Sequence, residues 1–379
     1  MLTPQELQRY SRQILLPEFG QEGQQKLKDG SVLAIGAGGL GSPALYYMAA
    51  AGIGRIGIVD SYTVDVSNLQ RQILFTSEDI GKPKATVARQ RLAQLNPLIN
   101  IETYPCILNS GNAMSILADY DVVIDGSDNL PTRYLVNDAC VLLNKTLIYG
   151  AIFQFEGQVS VFNELQKDGS RGPNYRDLFP DPPPPEMVPS CSAGGVLGVL
   201  PGIIGSMQAN EAIKIVAGIG TTLSGKLLLF DSLDFSTRIL NLKCNPNNPL
   251  SGKNPSLHTL IDYEAFCNPA CRHLVMKEIT PMEVKKMLDD EINIQLIDVR
   301  EPEEFDLGNL GALNIPLNTI EKNINRVRQD VPVVIYCKSG ARSLLAIQKL
   351  QPHGFTNLLN LKGGLIQWMN ETNPKLTNY

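Results

Sequence analysis

Histidine is scarce. His258, His273 and His353 are the whole complement of 379 residues. That leaves little room for a His-rich metal centre or for Ser–His–Asp hydrolysis. Long apolar runs are also missing. The most apolar stretch, Val196–Ile204, is too short and too rich in Gly and Pro to cross a membrane. The first residues, MLTPQELQRYSRQ, carry no basic segment followed by an apolar one, so no secretory signal is expected. The seven cysteines are odd in number and scattered, which is not the pattern of a disulfide framework. A reducing cytoplasm with free thiols is the expected setting. Nor is there an excess of positive charge: 33 Lys and Arg stand against 38 Asp and Glu, a net −5. Nucleic acid and membrane surfaces are therefore not expected partners. No internal repeat is visible.

What is present fits a globular enzyme, with 43% hydrophobic and 19% charged residues. At roughly 150 residues per domain the length predicts two domains, or three. Residues Met1–Gly30 read as polar and helical. Ser31–Ile35 reads as a buried strand, then a glycine-rich turn and a small-residue helix over Ser42–Ala51. Arg55–Asp60 and Asp121–Asp125 are strands that end in an acid, Lys84–Leu95 is helical, and Leu147–Tyr149 is a further strand. This alternation predicts an α/β fold with a doubly wound, mainly parallel sheet. Lys167–Pro189, which includes PDPPPP, is expected to be an exposed crossover rather than helix or inner strand. Beyond it, Ile294–Val299 and Val333–Tyr336 are strands and Arg342–Leu350 is helical, which predicts a second, smaller α/β domain. The expected boundaries are 1–250 for the first domain, 251–276 for a linker and 277–379 for the second.

Gly36-Ala37-Gly38-Gly39-Leu40-Gly41 satisfies G-x-G-x-x-G between a strand and a helix. Glycines there let the backbone approach phosphates, which the helix N-terminus favours. Asp60 ends the next strand, where it can accept from ribose hydroxyls. Alone this pattern says nucleotide without saying which. Ser67-Asn68-Leu69-Gln70-Arg71 follows closely, then Lys84, then Asp128-Asn129 after a strand. A solvated charge is the ordinary reading of Arg71 or Lys84 singly. Two cations and an amide near one glycine loop suit a triphosphate better than a dinucleotide. A carboxylate at Asp128 suits Mg²⁺ held against those phosphates.

The runs RYSRQILLPEFGQEGQQKL, GAGGLGSPALYYMAAAGIGRIGIVD, SNLQRQ and SDNLPTRYLVNDAC resemble the ThiF/MoeB-type adenylyltransferases of the ubiquitin-activating superfamily. The resemblance covers nearly the whole chain and, with the tail, extends to the MoeZ-like fusion with a rhodanese domain. It implies a Rossmann-like first domain that uses ATP to adenylate the C-terminal glycine of a small ubiquitin-fold sulfur carrier of the MoaD/ThiS kind. Carried over residue by residue, it implies that Gly39, Asp60, Ser67, Asn68, Arg71, Lys84, Asp128 and Asn129 bind ATP; Gly36, Gly38 and Gly41 of the glycine loop, with Leu69 and Gln70, are expected in the same site. It implies that Arg12 reaches the ATP site of a partner subunit in a homodimer; Asp128 is the expected Mg²⁺ ligand. Arg71 and Asp128 are the expected catalytic residues of adenylation. No general base is needed, because the carrier carboxylate is already ionised.

Two cysteines stand out. Cys191, in VPSCSAGGVLGVLPG, matches the family cysteine implied in an acyl intermediate with the carrier, although a small buried thiol is common for Cys. Cys337 opens CKSGARS between a buried strand and a helix, beside Lys338 and Arg342. Backbone N–H groups and cations at such a site favour a nucleophilic thiolate. This loop, together with Asp298-Val299-Arg300-Glu301-Pro302-Glu303-Glu304-Phe305, Gly311–Pro316 and Lys362-Gly363-Gly364 with Trp368, resembles the rhodanese sulfurtransferases. Cysteine-based phosphatases share the Cys-to-Arg layout with a longer loop, so Cys337 and Arg342 are the expected sulfur-transfer residues. Asn309 stands where that family usually has His. A cysteine desulfurase or thiosulfate is the expected sulfur donor.

The chain departs from its family at a structural zinc site. Gly172-Pro173-Asn174-Tyr175-Arg176-Asp177 lacks the usual first cysteine pair, and the NPNNPLSG stretch from Asn245 to Gly252 lacks the second. No structural zinc is therefore expected, since a thiolate site needs four ligands. Cys244 alone is not a site, and Cys267 and Cys271 are read as packing or surface thiols. Two rivals remain. An NAD-dependent dehydrogenase accounts for the glycine loop and Asp60, but not for SNLQR, Lys84, Asp128 or the tail. A non-enzymatic docking scaffold for a ubiquitin-fold carrier leaves the full phosphate-binding set unused.

Overall fold

The computed structural model describes residues 1–183, 195–267 and 277–372. The chain divides into two compact units, Met1–Cys267 and Asn268–Tyr379. In the first, the strands are β1 (Ser31–Ile35), β2 (Arg55–Val59), β3 (Asn100–Tyr104), β4 (Val122–Asp125), β5 (Thr146–Phe153), β6 (Glu156–Phe162), β7 (Lys226–Asp231) and β8 (Thr237–Asn241). They form one eight-stranded sheet in the order β3-β2-β1-β4-β5-β6-β7-β8. Pairing is parallel from β3 to β5 and antiparallel from β5 to β8.

All of β1 is buried, as a central parallel strand covered on both faces should be. Its side chains alternate between two cores. Val32 and Ala34 join Leu45, Met48 and Ile56 on one face, whereas Leu33 and Ile35 join Val123, Tyr134 and Leu135 on the other. Truncating Leu33 to alanine would cost about 2–5 kcal/mol. The order reverses direction between β1 and β4, so the carboxyl ends of β1, β2 and β4 open onto a crevice at a topological switch point. Main-chain bonds gather those ends: Gly36 N–H donates to Val59 O at 2.8 Å and Gly126 N–H to Ile35 O at 2.9 Å.

The strands β1, β2, β4 and β5 and the helix Lys84–Leu95 lie where the sequence predicts them, whereas the parallel strand β3 is not predicted. The predicted crossover contains a short helix, Tyr175–Leu178, started by Asn174, whose side chain accepts from the Arg176 N–H. The last part of that crossover lies outside the described residues. Residues Tyr263–Cys267, read from sequence as linker, form a helix in the core of the first unit. There Tyr263 Oη donates to Asp138 Oδ2 at 2.8 Å, and Arg176 grips the same carboxylate through Nε and Nη2 at 2.8 and 2.7 Å. Arg176 and Asp138 are fully buried, and the guanidinium lies 4.7 Å from the centroid of the Phe266 ring. Breaking such a buried pair costs about 3–5 kcal/mol.

The second unit is a five-stranded sheet of β9 (Lys277–Ile279), β10 (Gln295–Asp298), β11 (Leu313–Asn314), β12 (Val333–Tyr336) and β13 (Leu358–Leu361). Their order is β11-β10-β12-β13-β9 and every pairing is parallel. β12 is wholly buried at its centre and leads into the helix Ala341–Leu350. The Asp298–Arg300 pair is buried here, and Arg300 Nη2 also donates to Gly308 O at 2.7 Å. Asn309 fits its loop by accepting the Gly311 N–H at 2.8 Å and donating to Phe305 O at 3.2 Å. Among the described residues no helix is long and apolar enough to cross a membrane.

Candidate active sites

The crevice at the strand ends is one cleft. Gly36, Gly38, Gly39, Asp60, Arg71, Lys84, Asp128 and Asn129 all line it. Gly36 holds a left-handed φ of +92°, which turns the chain from β1 into the loop. Gly41 lies behind the loop rather than in the cleft lining, and a Cβ there would come within 2.0 Å of Gly36 O. Asp60 clamps the loop, because its Oδ2 accepts the Ala37 N–H at 2.9 Å and its Oδ1 the Tyr62 N–H at 2.9 Å. Asn129 caps the helix Leu130–Leu142 by accepting from the Thr132 N–H at 2.9 Å.

Lys84 opens its helix and is 7% exposed. Burial draws its ammonium below the usual lysine range, with Asp60 and Asp128 opposing that shift. Its Nζ stands 5.7 Å from the centroid of the Tyr62 ring, whose hydroxyl is pushed up by burial and then by Asp128 and Asp60. Asp128 is exposed, and among the described residues its carboxylate has no hydrogen-bond or ion-pair partner. Asp125, at the end of β4, is buried and pushed up by that burial, and it accepts the Ser127 N–H at 2.8 Å. A poorly hydrated ammonium, a guanidinium, a bare glycine loop and an open carboxylate together suit a polyphosphate with a divalent cation.

The other nominated residues stand apart from the lining. Ser67, Asn68, Leu69 and Gln70 form the turn that carries Arg71, and Arg71 Nη1 donates to Ser67 O at 3.0 Å. Arg12 is exposed on the helix Ser11–Ile14. Cys191 and Cys271 lie outside the described residues, but Val196, five positions after Cys191 in the sequence, lines the cleft. Sequence reasoning passed over Gln72, Ser127, Tyr62 and Cys106, all in the lining. Gln72 was legible as the last residue of SNLQRQ, and Ser127 as the first of SDN.

The two segments that lack the zinc cysteines meet in space. Asn248 Nδ2 donates to Asp177 Oδ1 at 2.7 Å and to Asn174 Oδ1 at 3.2 Å. Asn245 N–H donates to Asp177 Oδ1 at 2.8 Å, and Asn174 Nδ2 to Ser251 Oγ at 2.8 Å. Asn174 and Asn248 are almost fully buried. Side-chain amides and a carboxylate thus clasp the two segments directly. No group of three or more metal-ligating side chains occurs among the described residues. Cys267 is buried in the first core and pushed up to about 12 by that burial, so it is a packing thiol. Cys244 is exposed, and burial of its thiol raises it.

In the second unit Cys337 is 1% exposed at the end of β12. Its Sγ accepts from the Gly340 N–H at 3.2 Å and lies 3.7 Å from Ser343 Oγ. Gly340 holds φ at +96° and so directs its N–H inward before the helix begins. Lys338 is exposed on the same loop. Arg342 is held by Glu304, with Nη1–Oε2 at 2.5 Å and Nη2–Oε1 at 2.7 Å, and this pairing raises its pKa. The loop therefore presents a sulfur cradled by donors, with its arginine fixed by a carboxylate from the Asp298–Phe305 motif.

Residues 10–252 match the ThiF family and residues 280–371 the rhodanese-like domain. Over its whole length the chain is 44% identical to the probable adenylyltransferase/sulfurtransferase MoeZ of Mycobacterium tuberculosis, covering 96% of that protein. It is 42% identical to the adenylyltransferase and sulfurtransferase MOCS3 of Culex quinquefasciatus, over all of this chain and 90% of that one. Over 70% of its length it is 56% identical to the sulfur carrier protein adenylyltransferase of Thermus thermophilus, covering 98% of that protein. Among solved structures, Escherichia coli MccB shares the fold, with a TM-score of 0.54 at 21% identity over 65% of this chain and 74% of that one.

Proposed function

This chain belongs to the ThiF family and carries a C-terminal rhodanese-like domain, and from that premise we propose how its adenylyltransferase and sulfurtransferase activities run. The first unit uses ATP to adenylate the C-terminal glycine of a small ubiquitin-fold sulfur carrier. The second delivers persulfide sulfur, and the product is a carrier thiocarboxylate for molybdopterin, thiamine or sulfur-amino-acid synthesis. The observation that carries the reading is the convergence of Gly38, Asp60, Arg71, Lys84, Asp128 and Asn129 on one cleft. A dinucleotide leaves Lys84, Arg71 and Asp128 without a task, and a scaffold leaves the whole set idle.

The glycine loop receives the phosphates, and Asp60 both fixes that loop and faces the ribose. The carrier carboxylate attacks the α-phosphorus and pyrophosphate leaves. Arg71 and Lys84 oppose the charge that builds on the phosphate oxygens. Lys84 is well suited to this, because it is buried in the cleft lining, where little water screens its ammonium from a phosphate. Asp128, open and unpaired, would hold Mg²⁺ together with the phosphates, a donor set common for that ion. When bound, the ion supplies further charge neutralisation at those oxygens. Arg12 acts in the cleft of a second copy, which makes the working form a homodimer.

In the second unit Cys337 accepts sulfur as a persulfide from a cysteine desulfurase or thiosulfate. The Gly340 N–H and Ser343 cradle the sulfur, and Arg342 supplies positive charge at the loop. The Cys191 thiol takes the acyl group from the adenylate and AMP leaves; the terminal persulfide sulfur then attacks that thioester carbon and the Cys191 thiolate leaves, giving an acyl disulfide with Cys337. A thiol then cleaves the resulting acyl disulfide, releasing the thiocarboxylate and forming a disulfide. The protein works in the cytoplasm. The test is mass spectrometry of candidate carriers incubated with the enzyme, ATP and a persulfide source. An oxygen-for-sulfur exchange at the C-terminus supports the reading, and carriers left unchanged while pyrophosphate exchange is also absent would refute it.

A further inference from the structure

Gln72 lies against the glycine loop with its side-chain amide unspent. It is 5% exposed, and its main-chain N–H donates to Asn68 O at 2.9 Å, which fixes it one residue beyond Arg71. Its Nε2 stands 3.6 Å from where a Cβ on Gly38 would lie, and both residues line the cleft. Its Oε1 is shut off from solvent with no donor among the described residues. An apolar side chain of the same length would fill that space without leaving an acceptor unpaired. Keeping an amide there is costly unless a ligand uses it.

We propose that Gln72 is a further nucleotide-binding residue of the adenylation cleft, its Nε2 donating to a phosphate oxygen of ATP above Gly38. The assignment rests on the reading of the cleft given above. A triphosphate offers only acceptors, so the donor end of the amide serves it. The unpaired Oε1 is the cost of that orientation. Arg71 and Lys84 supply charge over several ångströms, whereas a neutral amide packed on the loop supplies direction. Gln72 thereby fixes where the phosphates lie without adding to the charge.

The test replaces Gln72 with methionine, similar in length but without a donor, and with glutamate, similar in shape but acceptor-only and anionic. Isothermal titration with a non-hydrolysable ATP analogue and with adenosine reads the two halves of the ligand separately. Gln72→Met should weaken the ATP analogue about tenfold or more, the scale of a hydrogen bond to a charged group. It should leave adenosine unchanged and should not lower the melting temperature. Gln72→Glu should weaken the ATP analogue further, by repulsion. Variants that bind the analogue like wild type, or that lose analogue and adenosine alike, would overturn the assignment alone. Wild-type protein that binds neither ligand would overturn the reading of the cleft and Gln72 with it.

Discussion

Asp60 and Ala37 are joined across the mouth of the cleft: the Ala37 N–H donates to Asp60 Oδ2 at 2.9 Å. The acid that ends β2 therefore shapes the loop that follows β1, before any nucleotide arrives. Each carboxylate oxygen has a second lone pair, so this clamp leaves acceptors for ribose hydroxyls.

That double duty is testable with Asp60→Asn. An amide has one acceptor end only, so it cannot serve both the Ala37 and Tyr62 N–H groups through separate oxygens. Stability should fall by about 1–3 kcal/mol, and nucleotide affinity should fall with it. Urea denaturation and calorimetric titration measure the two. Lost affinity at unchanged stability would mean that Asp60 acts on the ligand alone.

Asp128 differs in having no partner among the described residues. Removing it should scarcely disturb the fold, yet Asp128→Ala should slow carrier-dependent pyrophosphate exchange about a thousandfold or more. An exchange rate near wild type would remove Asp128 from the reaction.

Lys84 gives the cleft a pH signature. Burial lowers its pKa in the free protein. A bound phosphate favours the charged form and raises it again, so nucleotide binding takes up protons. Uptake should be absent at neutral pH and should appear as pH rises into the lowered range of the free cleft. Titrations in buffers of different ionisation enthalpy report it. Lys84→Arg should abolish it, because a guanidinium does not deprotonate there. Proton release, or uptake that persists in Lys84→Arg, would contradict this.

The parallel strands β1, β2 and β4 were legible because they are short, apolar and bounded by Gly or Asp. SVLAI and VVID read as buried whichever way they face. The strand β3, NIETY, and the exposed edge strand β8, TRILN, were not, since half-buried or exposed strands lack a continuous apolar run. The cleft-lining Arg71, Lys84 and Asp128 were legible as charges in a fixed order along the chain. Gln72 was visible as the last residue of SNLQRQ, but its burial with an unpaired Oε1 shows only in the fold. The clasp of Asn174 and Asp177 with the stretch from Asn245 to Gly252 was visible only as missing cysteines. That the two segments bond to one another needed the fold.

That clasp predicts a protein whose first unit is stable without metal. Elemental analysis should find far less than one zinc per chain, and chelators should not shift the melting temperature. Asn248→Ala removes the amide that bridges Asp177 and Asn174 and should cost about 1–3 kcal/mol. Stoichiometric zinc, or melting that responds to chelators, would mean that a metal holds these segments.

The central claim is that one chain joins adenylation to sulfur transfer, with the sulfur carried on Cys337. Its Sγ sits on a cradle of the second unit, with donors from Gly340 and Ser343, and ATP needs none of these groups. The most direct measurement compares wild type with Cys337→Ala in two assays on one carrier: pyrophosphate exchange, and the mass of the carrier after incubation with ATP and a persulfide source. The account predicts exchange close to wild type in Cys337→Ala, no thiocarboxylate from the persulfide, and thiocarboxylate restored by free sulfide, which attacks the acyl-adenylate directly. Thiocarboxylate formed from the persulfide at the wild-type rate in Cys337→Ala would contradict it, and would move the sulfur to another cysteine.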